Sequence, residues 1–433
     1  MINIGENSNL VVLGYGVSGK SIHRFLKEKG HNVSVFDDKA HNIPDEIKDI
    51  DWETVDIIVK SPSIPCIENN CHPIIKKARM LNIPVLSTFD IFMLYNPTAK
   101  IVSITGTNGK STTTALTYHI LKKAGISTAM GGNIGIPYCD LPKASVYIFE
   151  MSSYELASSK YLDFEIAANL NIQPDHLTFH ENFDNYVNAK HASLENAKTR
   201  IVSYEDFVTM SKYKYSENTI TISTRGNDLA DIYVYEGALI DSGQAVIDLS
   251  CLTELRGKHN HQNAAFAYEI CKNLALPPKE IANNMMSFKA LPHRLNIIRK
   301  IKNVLFVNDS KATNPDSAAK ALDTYVGYKI FWLVGGRSKK TDPLKSVEPY
   351  LDSVQKMYLF GEATEEFQEV FKNLKSSIAC QTMEKALREA YNDASNETGP
   401  SVILLSPMCA SFDQFESYEQ RGNDFVKFVM ELN

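Results

Sequence analysis

The run Thr105-Gly106-Thr107-Asn108-Gly109-Lys110-Ser111 carries the strongest chemical signal in the chain. It stands between an apolar stretch, IVSIT, and a helical one, TTALTYHILKKAG. Glycines let backbone N–H groups turn inward around phosphate oxygens, and a helix N-terminus adds partial positive charge. A lysine at the position of Lys110 reaches terminal phosphates, and a hydroxyl at Ser111 suits Mg²⁺. The usual phosphate loop has four residues between its first glycine and the Gly-Lys pair. Here only Thr107 and Asn108 separate Gly106 from Gly109, so the match is to a shorter variant, with Thr112 next as a further ATP-binding candidate. The bland alternative is a glycine-rich turn that binds nothing. Strand, loop, Lys-Ser pair and helix all agree on ATP.

Three further side chains are candidates of a weaker kind. Glu150 ends the apolar run SVYIFE, and ligands of open α/β sheets gather at the carboxyl ends of strands. A carboxylate there suits an oxygen-seeking cation such as Mg²⁺, although a strand-end glutamate alone is more often solvated or a helix cap. His176 follows the run IAANLNI, and His176 and His180 are spaced like a zinc pair, but no HExxH accompanies them. Alone, His176 reads as a loop histidine. Lys190 lies in the helical stretch YVNAKHASLENAK, where spacing alone makes it a surface lysine. Near the start, Gly14-Tyr15-Gly16-Val17-Ser18-Gly19 is a complete GxGxxG after a strand, and Asp37 ends the next strand, where a ribose-binding acid is expected. Read by itself, that pattern says NAD, but a helix N-terminus does not discriminate between two pyrophosphates.

Short apolar strands alternating with amphipathic helices must position these groups. NLVVLG, the helix SIHRFLKEKG and VSVFDD form a βαβ opening. The pattern restarts near Lys100, and again near Pro292 with NVLFVND, KIFWLVGG, KMYLFG and SVILLS. Between and after them lie the helices SAAKALDTY, EEFQEVFKNL and MEKALREAYNDA. The fold class expected is α/β in three domains: N-terminal Rossmann-like (1–90), central P-loop ATPase-type (91–291) and C-terminal Rossmann-like (292–433). Leu116, Ile120 and Leu121 read as core. The basic runs RKIK (299–302) and GRSKK (336–340) read as solvated faces, Lys339 excepted.

Bulk composition narrows the class. A single core rarely grows past roughly 250–300 residues, so 433 residues imply two or three domains. The apolar share of 44% argues against disorder, and a net charge of −6 leaves no basic footprint for nucleic acid. The seven cysteines are scattered without a CxxC pair, which points to a reduced, cytoplasmic setting. The start MINIGENSNL does not read as a signal peptide, and no run approaches the roughly 18 apolar residues of a membrane span.

Taken together, the motifs resemble the Mur ligases of bacterial cell-wall synthesis. TGTNGKST, GGNIG, EMSS, NIQPDH, NAK, GKHNHQNA, PHR and NDSKATN occur in the family's order over most of the chain. SKATN, the loop Gly335-Gly336-Arg337-Ser338-Lys339 and the ending LLSPMCASFDQF resemble the D-glutamate-adding branch. The resemblance implies ATP, Mg²⁺, UDP-N-acetylmuramoyl-L-alanine and D-glutamate as the small molecules bound, in a monomer with no nucleic acid and no membrane insertion. It implies that Lys110 and Ser111 hold phosphates and one Mg²⁺. Glu150, His176 and a carbamylated Lys190 would complete the metal sites, with Lys110, His176 and Lys190 as the catalytic set. Asn260, Asn263, Arg294 and Asp309 would reach ATP. Gly16, Val17, Ser18, Asp37, Asp38, Ser61 and Asn133 would hold the UDP-sugar, displacing the NAD reading. Lys311, Thr313, Lys339, Ser411 and Phe412 would shape the D-glutamate pocket. Two departures stand out: Ser61-Pro62-Ser63 where relatives show Ser-Pro-Gly, and Arg337-Ser338 in place of the family's acidic-Gly pair. The rivals are a folylpolyglutamate-type ligase, an NAD-dependent oxidoreductase and a catalytically silent nucleotide-sugar sensor.

Overall fold

A computed structural model describes residues 4–37, 50–67, 71–96, 98–338 and 342–432. Asp38 and Lys339, two of the expected binding residues, therefore lie outside the described residues. The chain divides into two compact units, Met1–Cys251 with His261–Phe288, and Leu252–Asn260 with Lys289–Asn433.

The first unit holds two sheets. The smaller has four strands in the order Asn32–Phe36, Asn9–Leu13, Ile57–Lys60, Val85–Ser87, all parallel. Its central strand Asn9–Leu13 is apolar and buried from Leu10 onward because both faces are covered, as parallel sheets require. Leu10 and Val12 pack with Ile22 and Leu26 of the helix Val17–Glu28. Val11 and Leu13 pack with Ile74, Ile75 and Ala78 of the helix Pro73–Met80. Neighbours run off to opposite sides of Asn9–Leu13, which opens a crevice at the strand ends.

The larger sheet has nine strands. Lys100–Thr105 lies between Val146–Glu150 and Phe164–Asn169, parallel to both. Beyond Thr219–Ser223 the sheet continues through Ile232–Tyr235 into an antiparallel extension, Ala238–Asp241 and Gln244–Asp248. The helix Lys110–Lys123 buries Leu116, Ile120 and Leu121 completely, as their spacing predicts.

The second unit has six strands in the order Asn296–Ile301, Val304–Asn308, Ser401–Met408, Lys329–Gly335, Val354–Phe360, Ser377–Gln381. Only the first pair is antiparallel. Val307, Trp332 and Leu404 face the helices Pro315–Thr324 and Thr364–Phe371. Phe306, Phe331 and Leu405 face Met383–Ser395 and Tyr418–Met430. Lys300 and Lys302 of the run RKIK are exposed, as expected, whereas Arg299 is half-buried and its Nη1 donates to the Leu432 carbonyl, just past the last helix, at 2.9 Å. Among the described residues no helix is long and apolar enough to cross a membrane.

Candidate active site

The phosphate loop begins where the strand Lys100–Thr105 ends, at the point where neighbouring strands depart to either side. Gly109 caps the following helix with φ at +91°, and a Cβ there would lie 2.4 Å from the Asn263 Oδ1. Only glycine satisfies both conditions. The Thr107 N–H donates to the Asn171 carbonyl at 2.8 Å, and the Asn108 N–H donates to the Asn171 Oδ1 at 2.9 Å. The Thr107 hydroxyl meets the Tyr186 hydroxyl at 2.9 Å. The loop is thus held from the side by a neighbouring strand end and a buried tyrosine.

Lys110 and Lys190 converge on one atom. The Lys110 Nζ donates to the Gly106 carbonyl at 2.9 Å, and the Lys190 Nζ donates to the same oxygen at 2.7 Å. The surface reading of Lys190 is wrong, since its exposure is 1%. The reason lies in its helix, Phe183–Glu195, whose buried face carries Lys190, His191 and Ser193 beside Tyr186 and Leu194. A polar buried face conceals itself from hydrophobic periodicity. Burial, then the nearby Lys110 charge, push the Lys190 ammonium well below the usual lysine range, while Asp175 and Glu150 oppose the shift.

Glu150 is 1% exposed, so it is neither solvated nor a cap. The cap two residues on is Ser152, in a capping box with Glu155. The Glu150 Oε1 accepts from the Asn133 amide at 2.6 Å, while its Oε2 is buried without a hydrogen-bond partner. His176 sits with φ at +55°, its Nδ1 2.8 Å from the Tyr154 hydroxyl and its Nε2 3.6 Å from Asp175. His180 is buried with its Nε2 on the Ser153 hydroxyl at 2.9 Å, and burial brings it down to about 4.

These groups bear on the metal expected from sequence. Among the described residues no three His, Cys, Asp or Glu side chains gather as a metal cluster. The donors present are oxygens: an orphaned carboxylate oxygen on Glu150 and the Ser111 hydroxyl at the loop. That set fits a hard cation that takes most of its ligands from phosphate and water.

A cavity of about 760 Å³ opens at the crevice of the four-stranded sheet. Gly16, Val17 and Ser18 line it at the helix N-terminus, with Asp37 and Ser61–Pro65 beside them and Asn133 and Tyr154 opposite. The Asp37 carboxylate accepts from the Tyr15 N–H at 2.5 Å, and the Ser61 hydroxyl donates to the Gly14 carbonyl at 3.1 Å. Both bonds fix the glycine turn to its neighbouring strand ends. Ser63 is exposed on this wall.

In the second unit the Lys311 ammonium lies 3.7 Å from the Tyr418 ring centre, a cation–π contact. Ser411 is buried, Thr313 half-buried and Phe412 exposed. Asp309 is buried and accepts from the Ser406 hydroxyl at 2.9 Å and the Leu295 N–H at 3.3 Å. Burial raises its carboxyl to about 7. The Arg294 N–H donates to the Asn296 side chain at 3.1 Å. The Asn260 amide donates to the Arg256 carbonyl at 2.8 Å. Arg337 is exposed and pairs with Glu362 through two bonds of 2.9 Å.

A family profile described as "Mur ligase middle domain" matches residues 104–271, and one described as "Mur ligase, glutamate ligase domain" matches residues 293–409. Over its whole length the chain is 32% identical to a Wolbachia pipientis protein named UDP-N-acetylmuramoylalanine--D-glutamate ligase, covering 98% of that relative. It is 33% identical to the protein of the same name from Rickettsia bellii, covering 99% of it. The chain belongs to the Mur ligase family. The fold agrees: the Thermotoga maritima UDP-N-acetylmuramate-alanine ligase superposes with a TM-score of 0.62 at 16% identity, over 98% of this chain and 99% of that one. The Thermotoga maritima MurF ligase, solved in complex with ADP, superposes at 0.60 and 16% identity, over 98% and 96%.

Several residues at these sites carry no sequence signal of their own. Tyr154 bonds His176 and lines the cavity, and its nearness to Glu150 in the run EMSSY is the only hint. Asn171 holds the phosphate loop from just past the end of the strand Phe164–Asn169. Arg421 is fully buried, donating to the Ser310 carbonyl at 2.8 Å and the Cys409 carbonyl at 3.1 Å. It joins the Ser310-Lys311 turn to the segment before Ser411.

Proposed function

We propose that this chain joins D-glutamate to UDP-N-acetylmuramoyl-L-alanine, converting ATP to ADP and phosphate, as a cytoplasmic monomer in peptidoglycan precursor synthesis. Full-length likeness to relatives of that printed name supports the substrates. The observation that carries the chemistry is the convergence of Lys110 and the buried Lys190 on the Gly106 carbonyl. The same reading gives residues 1–90 to the UDP-sugar, 91–291 to ATP and 292–433 to the amino acid.

The alanine carboxylate attacks the γ-phosphorus, the bond to the ADP oxygen breaks, and an acyl phosphate forms. A free carboxylate is a poor acylating agent, whereas an acyl phosphate has a good leaving group. Two anions must approach, so Lys110 at the loop neutralises phosphate charge. The D-glutamate amine then attacks the acyl carbon, loses a proton and expels phosphate.

Mg²⁺ supplies charge neutralisation for phosphate oxygens when bound, and Ser111, Glu150, His176 and Lys190 are the residues that would hold it. A lysine cation repels a metal. The Lys190 environment favours the neutral amine, whose nitrogen attacks carbon dioxide and loses a proton to leave a carbamate with two oxygens. Lys311, Thr313, Ser411 and Phe412 are proposed for D-glutamate, with Tyr418 added as the ring beneath the Lys311 ammonium. Asn260, Asn263, Arg294 and Asp309 are proposed for ATP, and the cavity at Gly16–Ser18 for the UDP-sugar.

The test is phosphate release from ATP with purified protein, Mg²⁺ and the nucleotide, scanning amino acids as acceptors. Release requiring both the nucleotide and D-glutamate, with an amide product by mass, is the expected result. Release with another amino acid moves the specificity. Nucleotide binding without release for any acceptor refutes the ligase reading.

A further inference from the structure

The wall of the 760 Å³ cavity is built partly from the segment after the strand Ile57–Lys60, where Ile64, Pro65 and His72 face the space. That wall doubles back on itself. Cys66 and Cys71 are partners in an isolated antiparallel bridge. The His72 N–H donates to the Pro65 carbonyl at 3.0 Å, which is the bond flanking the pair on one side. This pattern makes Cys66 and Cys71 a non-hydrogen-bonded pair, the arrangement in which opposed side chains stand closest, with Cα atoms about 4.5 Å apart. Both side chains belong to one apolar cluster with Ile64, Ile74 and Ala78. Neither is bonded to another cysteine, and Cys66 is the more exposed of the two. The Lys60 side chain is buried next to this segment, and its amine donates to the Ser61 carbonyl at 3.2 Å.

We propose that Cys66 and Cys71 form a redox-modification site in which a hydroperoxide closes a reversible disulfide behind the cavity wall. The Cys66 thiolate attacks the peroxide oxygen, giving a sulfenic acid and releasing hydroxide, which takes up a proton. The Cys71 thiol then attacks the sulfenic sulfur, the S–S bond forms, and water leaves. Two sulfurs lose two electrons in total and one peroxide gains them. A relaxed disulfide sets its Cα atoms near 5.5–6 Å, roughly 1 Å wider than this pairing. Closing it therefore spreads the two bridged segments and carries Pro65 and His72 with them. The effect on nucleotide binding rests on the reading of the cavity given above, whereas bond formation does not.

The experiment treats the full chain with hydrogen peroxide, alkylates remaining thiols and maps peptides by mass before and after reduction. KM values for nucleotide and ATP are measured on the same samples. The expected result is a Cys66–Cys71 bridge lacking two hydrogens. With it, the nucleotide KM rises about fivefold while the ATP KM is unchanged, and dithiothreitol reverses both changes. Cys66→Ser and Cys71→Ser variants should form no such bridge and show no KM response. Oxidation of the exposed Cys251 without any Cys66–Cys71 bridge overturns the site. A bridge that leaves every KM unchanged overturns the control of the cavity. Absence of ligase activity in the reduced enzyme would count against the proposed function, while the mapped bridge still decides the disulfide.

Discussion

Gly109→Ala isolates what the phosphate loop needs from its backbone. Two costs apply. The φ of +91° places an alanine in the left-handed region, at about 1–2 kcal/mol. Its methyl would also lie 2.4 Å from the Asn263 Oδ1, an atom that accepts from the buried Thr113 hydroxyl at 3.3 Å. Relief requires the Asn263 amide to move, and displacing a buried polar group from its partners costs about 1–3 kcal/mol. Gly125, just past the other end of the same helix, supplies the control. Its φ is +76°, and nothing lies within 4 Å of an added Cβ. Gly125→Ala should therefore show the backbone cost alone, and Gly109→Ala about 1–3 kcal/mol more. Thermal denaturation of the two variants compares stability, and saturation kinetics compares function. Only Gly109→Ala should raise the ATP KM, by about tenfold for each 1.4 kcal/mol of lost loop geometry. Equal melting temperatures and equal ATP KM values for the two variants would refute the role given to crowding at Gly109.

Lys190→Ala should lower kcat about 100-fold, or about 3 kcal/mol, and chloride or short carboxylic acids should restore part of it; complete failure of rescue would count against the carbamate. Asn133→Ala removes the 2.6 Å bond to Glu150, a charged hydrogen bond of about 1.5–3 kcal/mol, and should raise the Mg²⁺ concentration at half-maximal rate. An unchanged Mg²⁺ titration would detach Asn133 from the metal. The Asp309 carboxyl is raised to about 7 by burial, above its unfolded value of about 3.9. Its contribution to stability is thus complete below about pH 4 and is lost as pH rises through 7. Asp309→Asn should remove that part of the pH dependence, and identical slopes of melting temperature between pH 5 and pH 8 for both proteins would sink the assignment.

The parts of this molecule legible in its sequence are those written in local chemistry. The strand before Gly14 and the strand before Gly106 announce themselves by short apolar runs, and the glycines after them by turn geometry. The antiparallel extension Ala238–Asp241 and Gln244–Asp248 leaves no such mark, because its strands are short and only partly buried. The site shows the same division. Lys110 and Ser111 follow from spacing, but Lys190 arrives from a helix 80 positions later whose buried face is polar. Spacing cannot report that Ser193 meets Ser103 at 2.6 Å across that interface. Only the family's motif order brought Lys190 forward.

That difference has a physical root. An isolated buried lysine is costly as a cation, so a chain retains one where the neutral amine or a modified form has work to do. Here the helix Phe183–Glu195 packs Tyr186 against the Thr107 hydroxyl and lays its ring 4.9 Å from the Lys190 Nζ. One aromatic side chain thus holds the phosphate loop and also covers the amine beside it. Loop position and amine protonation are therefore coupled through a single residue. Tyr186→Phe keeps the ring over Lys190 and removes only the hydroxyl, so it should loosen ATP binding while leaving any dependence on carbon dioxide intact. Tyr186→Ala removes both, and should let Lys190 regain its charge. If the two variants behave alike in ATP KM and in response to bicarbonate, the ring has no part in setting the state of the amine.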